Sequence, residues 1–334
     1  MHDLLQVISI CFLLVAVSLP QAWRSLQETD WVRVIYIYLP PVTYMVPPLA
    51  LLAASLVTGD IVSAVLNGCS VACVMSGVLR WCWNEPATPD TSPDRLQIRV
   101  LTYNIFGGSH PACAGLGEVI ERTRPDVVFL QEAWWAIPGR RSDPLPDIVS
   151  RFPGWSVVRS GDFHELCILT RFPVLDVEER AIGNRVCLVA TLRVGQRCLR
   201  AIDVHLTPPA TGPGIKRAGW AFPRYIMDSS VARHQEALAL RDLLLESSCL
   251  TLVGGDFNSP PTCFVHRLMP RHYRDAFSEG GRGCGHTWFE RLPLWRLDYI
   301  LTSPDIRVLE CRTLDERTSD HRPVVADVEL PVEG

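Results

Sequence analysis

The sequence predicts an α/β chain of the α+β kind: two packed, mixed β-sheets flanked by helices, set behind an apolar helical N-terminal segment. Three observations carry that prediction. Strand-like runs far outnumber helical ones after the first quarter of the chain, which favours two stacked sheets over a doubly wound parallel sheet. Long uncharged runs are confined to residues before Arg80. Six short polar signatures sit at the ends of apolar runs, where strands would stop or start.

The apolar front comes first. Leu4 to Leu19, Val34 to Val57 and Ile61 to Leu79 carry no charge, and each approaches the ~20 residues with which a helix crosses a bilayer. A cleaved signal peptide is the alternative for the first run, but no Lys or Arg precedes it and no small-residue cleavage site follows Leu19-Pro20. Pro40, Pro41, Pro47 and Pro48 cannot share one straight helix, so the spanning part of the second run is expected at Thr43 to Val57, turning at Thr58-Gly59-Asp60. Residues 1–83 are thus expected to form a membrane anchor of about three transmembrane helices. Arg24 and Arg33 in the first loop and Arg80 after the last helix place that loop and the rest of the chain in the cytoplasm by the positive-inside rule. The 12 cysteines show no paired framework. Cys167, Cys187 and Cys198 fall in strand-like runs and are expected as free core thiols, and no Cys-x-x-Cys with partner histidines indicates structural zinc.

Residues 84–95, rich in Pro, Thr, Ser and Asp, read as a linker. Residues 96–332 suffice for one core. Strands are expected at Gln97–Tyr103, Val127–Gln131, Trp155–Arg159, Leu166–Thr170, Val186–Val194, Cys198–Leu206, Leu250–Gly254, Arg296–Leu301, Ile306–Leu309 and Pro323–Leu330. Helices are expected at Leu116–Arg124 and, long and amphipathic, at Ser230–Glu246. Thr207 to Ser229, with its prolines and glycines, reads as a long loop.

The signatures are Asn104, Glu132, His205, Asp256 with Asn258, Asp298, and Asp320 with His321. The first four close apolar runs and the last two open them. Strands that start at one rim lie beside strands that finish there, so all six converge on one cleft. Four carboxylates so gathered repel one another unless a cation sits among them. Glu132 is a hard oxygen ligand at a strand end, and Asn104 either joins the metal shell or holds Glu132, its alternative being a turn with Gly107-Gly108. Asp256 and Asn258, two apart, point to one side of an extended segment. That suits the orienting of one water and one phosphate oxygen, and Gly254 and Gly255 before them permit close backbone approach. His321 is the candidate base or proton partner, with Asp298 fixing its tautomer.

Thr102-Tyr103-Asn104-Ile105, Leu130-Gln131-Glu132, Asp203-Val204-His205-Leu206, Gly254-Gly255-Asp256-Phe257-Asn258, Leu297-Asp298-Tyr299-Ile300 and Ser319-Asp320-His321-Arg322-Pro323 occur in this order. Together they resemble the endonuclease/exonuclease/phosphatase (DNase I-like) superfamily over Leu96 to about Leu330, and the anchored arrangement resembles its membrane-bound bacterial members. The resemblance implies a four-layer αββα sandwich and phosphoester hydrolysis with a divalent cation, magnesium or manganese. It implies Glu132 as principal metal ligand, Asp320 on the metal, and His205 donating to a nonbridging phosphate oxygen. Glu165 would pair with a catalytic histidine, as a comparable Glu does in some nuclease members. No Gly-x-Ser-x-Gly elbow is present, so water is the expected nucleophile.

Substrate is less constrained. The net charge of −4, with 32 Lys and Arg spread without a dense run, excludes the broad positive face of an avid sequence-independent DNA binder. Trp220, Arg217 and Arg224 in the Thr207–Ser229 segment are candidates to stack bases or to lie against lipid headgroups. Asn258-Ser259-Pro260 and Leu297-Asp298-Tyr299 depart from the inositol-polyphosphate phosphatase pattern, and Asn104-Ile105-Phe106 departs from that of the abasic-site endonucleases. A nuclease-like phosphodiesterase is the leading reading. A phospholipid phosphodiesterase of sphingomyelinase type and a catalytically silent membrane-tethered binding module are the alternatives. No protein partner is legible.

Overall fold

The computed structural model describes residues 2–25, 28, 30–106, 113–133, 145–161, 165–289 and 291–332. The apolar front is helical. α1 (His2–Ser25) is followed by a short α2 (Trp31–Ile37), a 3-10 turn at Pro41–Met45, α3 (Val46–Thr58) and α4 (Ile61–Gly77). The prolines sort themselves as sterics requires: Pro47 and Pro48 fall in the first turn of α3, where the missing N–H has no partner to lose. α3 ends at Gly59 with φ 71°, and the Asp60 side chain caps α4 by accepting from Ser63 N. Segments His2–Ala22 and Pro41–Thr58 are long and apolar enough to cross a membrane, and Ile61–Gly77 is shorter. α4 packs against both α1 and α3. Asn67 donates to Ser9 and Ser55 at 2.9 and 3.0 Å inside this bundle.

The rest is a sandwich. In chain order it contains β1 (Cys82–Trp83), β2 (Arg95–Asn104), α5 (Cys113–Thr123), β3 (Val127–Gln131), α6 (Leu145–Arg151), β4 (Ser156–Arg159), β5 (Leu166–Thr170), β6 (Val174–Ile182), β7 (Arg185–Val194) and β8 (Arg197–His205). There follow α7 (Gly212–Ala218), α8 (Phe222–Leu245), β9 (Leu250–Asp256), α9 (Phe264–Leu268), β10 (Arg274–Asp275), α10 (Ala276–Gly280), β11 (Arg282–Gly283), β12 (Asp298–Thr302), β13 (Arg307–Thr313) and β14 (Val324–Pro331). One six-stranded sheet has the order β13-β14-β2-β3-β5-β4 and the other β10-β12-β9-β8-β7-β6. Each is mixed. Its single parallel pair, β2 with β3 or β8 with β9, lies among antiparallel neighbours.

The period of two explains the layers. On β3, Val127 and Phe129 enter the core between the sheets, while Val128 and Leu130 face the core beneath α5 and α6. On β8, Leu199 and Ala201 face the other sheet, while Ile202 and Val204 lie in the core with Leu240 and Leu244 of α8. Helices therefore cover both outer faces, giving the expected four layers. Gly254 belongs to the central packing, because a Cβ there would lie 2.1 Å from the Phe129 ring of the opposite sheet.

Several expectations need correction. The supposed loop Thr207–Ser229 is largely helical: α7 occupies part of it and α8 starts at Phe222, not Ser230. Pro213 and Pro223 sit at helix starts, where proline is favoured rather than disruptive. β6 and α6 had not been expected. Cys198 is not a free thiol but is joined to Cys249, across 51 residues, at the end of the β8/β9 pair opposite His205 and Asp256. Nor do residues 84–95 behave as a free tether. Asn84 Nδ2 donates to Ser278 O, Ala87 N to Leu309 O and Asp90 N to Glu329, and Cys82–Trp83 pairs with β11.

Candidate active site

The two parallel pairs deliver their residues to one rim. Asn104 ends β2, Glu132 follows β3, His205 ends β8 and Asp256 ends β9. Antiparallel neighbours begin there: Asp298 opens β12 opposite Asp256, Glu165 precedes β5, and Asp320-His321 precede β14. Two of these residues hold an uncommon backbone, Glu132 at φ 50° and Asn258 at φ 48°. Such conformations persist where the surroundings impose them, and they cluster at functional sites.

Asp256 is the hub. Its Oδ2 accepts from Asn104 Nδ2 at 3.1 Å and Asn258 Nδ2 at 3.3 Å. It also lies 3.7 Å from Nε2 of both His205 and His321. Asn258 N donates to Asp256 Oδ1 at 2.8 Å, so the two-residue spacing closes a small turn and not only a shared face. His321 Nδ1 donates to Asp298 Oδ2 at 2.8 Å, the tautomer-fixing contact expected from sequence. His205 Nδ1 donates to Glu165 Oε1 at 2.6 Å, and Arg185 holds the same carboxylate at 2.7 Å. Asn104 Nδ2 reaches Glu132 Oε1 at 3.3 Å and Asn104 Oδ1 accepts from Phe106 N. The amide therefore ties Glu132 to Asp256. Gly107 and Gly108 lie outside the described residues.

Electrostatics follow from burial and pairing. Burial raises the Glu132 carboxyl above its ordinary range, against the lowering effect of His205 and His321. Asp256, also buried, is raised in the same way. For His321, burial opposes protonation, but Asp298 and Asp256 outweigh it and lift the imidazole to about 10. His205 is raised too, because its hydrogen bond to Glu165 overcomes burial. Glu165, despite burial, is pulled down to about 2 by His205 and Arg185.

The donor set fits a cation. Glu132 Oε2 and Asp298 Oδ1 are buried oxygens with no hydrogen-bond partner among the described residues. Burying such an oxygen unpaired is costly. Asp256, Asp298 and His321 each offer one donor atom, all within 4.8 Å of one another. Asp320 is half-buried beside them, accepting from Ser319 Oγ at 3.2 Å, and its charge acts on both Glu132 and His321. Oxygen-rich and short of thiols, this set suits a hard divalent cation.

The substrate candidates lie apart from this cluster. Arg217 donates to Pro213 O, Arg224 faces Asp228 at 3.8 Å, and Trp220 is fully exposed between α7 and α8. Other residues were given no part in the site by the sequence. Gln131 donates to Asp203 at 2.6 Å, tying the sheets together beneath the site. Thr287 Oγ1 accepts from the amides of Leu297 and Asp298. Buried Glu236 and Arg233 of α8 hold Thr207, the residue after His205-Leu206. Gln131 and Asp203 sit inside recognised motifs that had assigned them no role. The others are found by folding alone.

The fold resembles an endonuclease/exonuclease/phosphatase family protein of Bacteroides thetaiotaomicron, with a TM-score of 0.55 and 14% identity, covering 71% of this chain and 98% of that one. It also resembles a humanized D. rerio TDP2, at TM-score 0.55 and 17% identity over 70% of this chain and 98% of that one. A third likeness is the B. thetaiotaomicron mannosyl-6-phosphatase Bt3783, at TM-score 0.52 and 14% identity over 69% and 99%. No curated protein sequence matches the chain. The model of the Endonuclease/Exonuclease/phosphatase family matches residues 101–321, which spans every signature from Asn104 to His321. The chain belongs to the endonuclease/exonuclease/phosphatase family.

Proposed function

We propose that this chain is a membrane-anchored, divalent-metal-dependent phosphoester hydrolase in which water attacks phosphorus in line with the leaving oxygen. The observation that carries this reading is Asp256 Oδ2, set among two histidine Nε2 atoms and two side-chain amides beside unpartnered carboxylate oxygens of Glu132 and Asp298. Glu132 and Asp320 would hold magnesium or manganese, which would supply charge neutralisation on the phosphate and the leaving oxygen, while Asn104, expected from sequence either on the metal or holding Glu132, takes the second part through its amide nitrogen. Asp256 and Asn258 orient the attacking water. Asp298 fixes the His321 ring so that Nε2 faces the reacting centre, where it exchanges the water proton. His205, fixed by Glu165, donates to a nonbridging oxygen as negative charge grows there.

The test uses the full chain in detergent micelles with bis(p-nitrophenyl) phosphate, with magnesium or chelator. Chelator-sensitive hydrolysis that falls by about a thousandfold or more in Asp256→Ala supports the reading. A folded Asp256→Ala variant with wild-type turnover would sink it. Metal binding without turnover would favour the silent binding module.

Anchoring is supported by burial: Leu14, Leu56, Val57, Ile61 and Val65 point outward, while Ser9, Ser55, Ser63, Asn67 and Ser70 point inward. The first loop and the catalytic domain share a side, since Pro20 of α1 packs against Gly77 of α4. Which side is a separate matter. Three arginines favour the cytoplasm, but disulfides such as Cys198–Cys249 are rare there and form chiefly in oxidising compartments. We therefore place the catalytic domain outside the cytoplasm. Lys216, the only lysine of the chain and exposed on α7, reports on this. A membrane-impermeant amine reagent should label intact cells and fail with Lys216→Arg, whereas labelling that requires lysis would return the domain to the cytoplasm.

A further inference from the structure

The strand ends that carry the catalytic residues are also the end of the sandwich that meets the helical bundle. The Tyr38 hydroxyl donates to Asn258 O at 3.1 Å, and three residues later the chain enters the 3-10 turn that leads into α3. Trp295 Nε1 donates to Tyr38 O at 3.1 Å, and Trp288 bridges both Trp295 and His321. Cys284, on the same loop, packs against the bundle core of Val74, Val78 and Leu79. Tyr38 thus ties the rim at Asn258 and, through Trp295 and Trp288, at His321, while Cys284 adds a separate contact with the bundle.

α8 extends past this rim. Arg233 Nη1 donates to Thr207 O, which marks the rim's level on the helix. α8 begins at Phe222, eleven residues earlier, which at 1.5 Å per residue is roughly 16 Å of overhang. Trp220 stands fully exposed just before it. Leu292 is 67% exposed on the Trp288–Trp295 loop, and Leu39 and Val42 are exposed where the chain enters the bundle. The opposite end differs. A 650 Å³ pocket there is lined by Arg95, Arg197, Arg274 and Arg307 with Asp305 and Glu329.

We propose that the catalytic mouth opens onto the bilayer surface, and that its substrate is a phosphoester carried by a membrane lipid, with Trp220 and Leu292 as interfacial anchors. The proposal rests on the reading of the site as a phosphoesterase and of the bundle as membrane-spanning. A tryptophan ring settles at headgroup depth because its body is apolar and its N–H is polar. A lipid phosphate lies at that same depth, so a mouth held there meets its substrate without extracting the acyl chains. Water oxygen bonds to phosphorus, the P–O ester bond breaks, and the water proton passes to the leaving alkoxide. A phosphomonoester and an alcohol result.

The experiment reconstitutes the full chain in vesicles of phosphatidylcholine, phosphatidylglycerol and sphingomyelin, with bis(p-nitrophenyl) phosphate as a soluble reference and plasmid DNA as competitor. Expected is chelator-sensitive lipid hydrolysis. The ratio of lipid to soluble turnover should fall about tenfold in Trp220→Ala and in Leu292→Asp, which is what burying one such side chain is worth. A ratio unchanged in both variants overturns the proposal. So does preferential cleavage of plasmid DNA, or intact lipid alongside brisk turnover of the soluble diester. Silence toward the soluble diester removes the phosphoesterase reading itself, and the proposal with it.

Discussion

The helical bundle and the sandwich solve opposite problems with one chain. In the sandwich, Val100, Phe129, Ile168, Leu188 and Leu252 are fully buried and build an apolar core between the sheets. In the bundle, the fully buried positions include Ser9, Ser55, Ser63, Asn67 and Ser70, while Leu4, Leu56, Val57 and Ile61 are more than half exposed. In water the second pattern would leave a large apolar surface bare. In a bilayer it is the expected one, because lipid offers no hydrophobic drive between helices and small or polar residues hold them together. The two regions meet in a buried joint. There Glu28 accepts from Ser230 and, at 3.4 Å, from Arg233, whose guanidinium lies 5.3 Å from the Tyr38 ring centroid.

Breaking that joint has the largest expected effect. Arg233 is fully buried and Glu28 nearly so, so Glu28→Ala strands a buried cation and costs about 3–5 kcal/mol. Chemical unfolding of the sandwich, followed by tryptophan fluorescence, measures it. A loss below about 1 kcal/mol would show that the joint is solvated and that the two regions are merely tethered. The same joint warns against testing the catalytic domain without its first loop, since truncation removes both Glu28 and Tyr38.

A matched pair of aspartates sharpens the comparison. Leu14 on α1 and Val177 on β6 are both exposed apolar side chains, at 66% and 45%. Leu14→Asp is expected to cost about 3 kcal/mol of membrane insertion. Val177→Asp, facing water, should change sandwich stability by no more than about 0.5 kcal/mol. Membrane fractionation for the first and thermal unfolding for the second decide the matter. Equal tolerance of both would mean that the bundle's outer face also sees water.

His266 supplies the pH dependence that belongs to the sandwich alone. Burial, aided by the charge of Arg296, holds its imidazole down at about 4, although the Ser259 carbonyl at 3.0 Å favours the proton. An unfolded histidine titrates near 6.5. Between those values the unfolded chain binds a proton that the folded one refuses, so stability is full above about 6.5 and falls as pH drops toward about 4. The loss approaches 2–3 kcal/mol. His266→Gln should flatten the fall in melting temperature between these limits, and an unaltered slope would assign the acid sensitivity to other groups.

What the sequence disclosed follows from where each signal resides. Asn104, Glu132, His205 and Asp256 were legible because strand ends mark themselves by a polar residue after an apolar run. The contact between Asp298 and His321 was expected from chemical role, since a histidine base needs a carboxylate to fix its tautomer, although the strands they open, β12 and β14, lie in opposite sheets. The helical character of Thr207–Ser229 was hidden because Pro213 and Pro223 read as breakers when they are helix starters. β6 was hidden by Asp176, Glu178, Glu179 and Arg180, which suit an edge strand but blur its alternation. The Cys198–Cys249 pair and the Glu28 joint join residues 51 and 205 apart. No local pattern encodes contacts of that range.

The smallest loss expected in the bundle tests it from within. Asn67 is fully buried and its amide donates to both Ser9 and Ser55, so one side chain on α4 links α1 and α3. Replacing it by Ala removes both bonds, and interhelical hydrogen bonds in membranes average only about 0.6 kcal/mol, with a ceiling near 1.7. Because Ser9 and Ser55 can turn back to the carbonyls of Leu5 and Leu51, to which they already donate, neither is stranded. Asn67→Ala should therefore lower bundle stability in micelles by about 1 kcal/mol and leave turnover of a soluble diester unchanged. A loss several times larger would mean that the bundle depends on buried polar contacts as the sandwich depends on Phe129, and the contrast between the two regions would narrow to their surfaces.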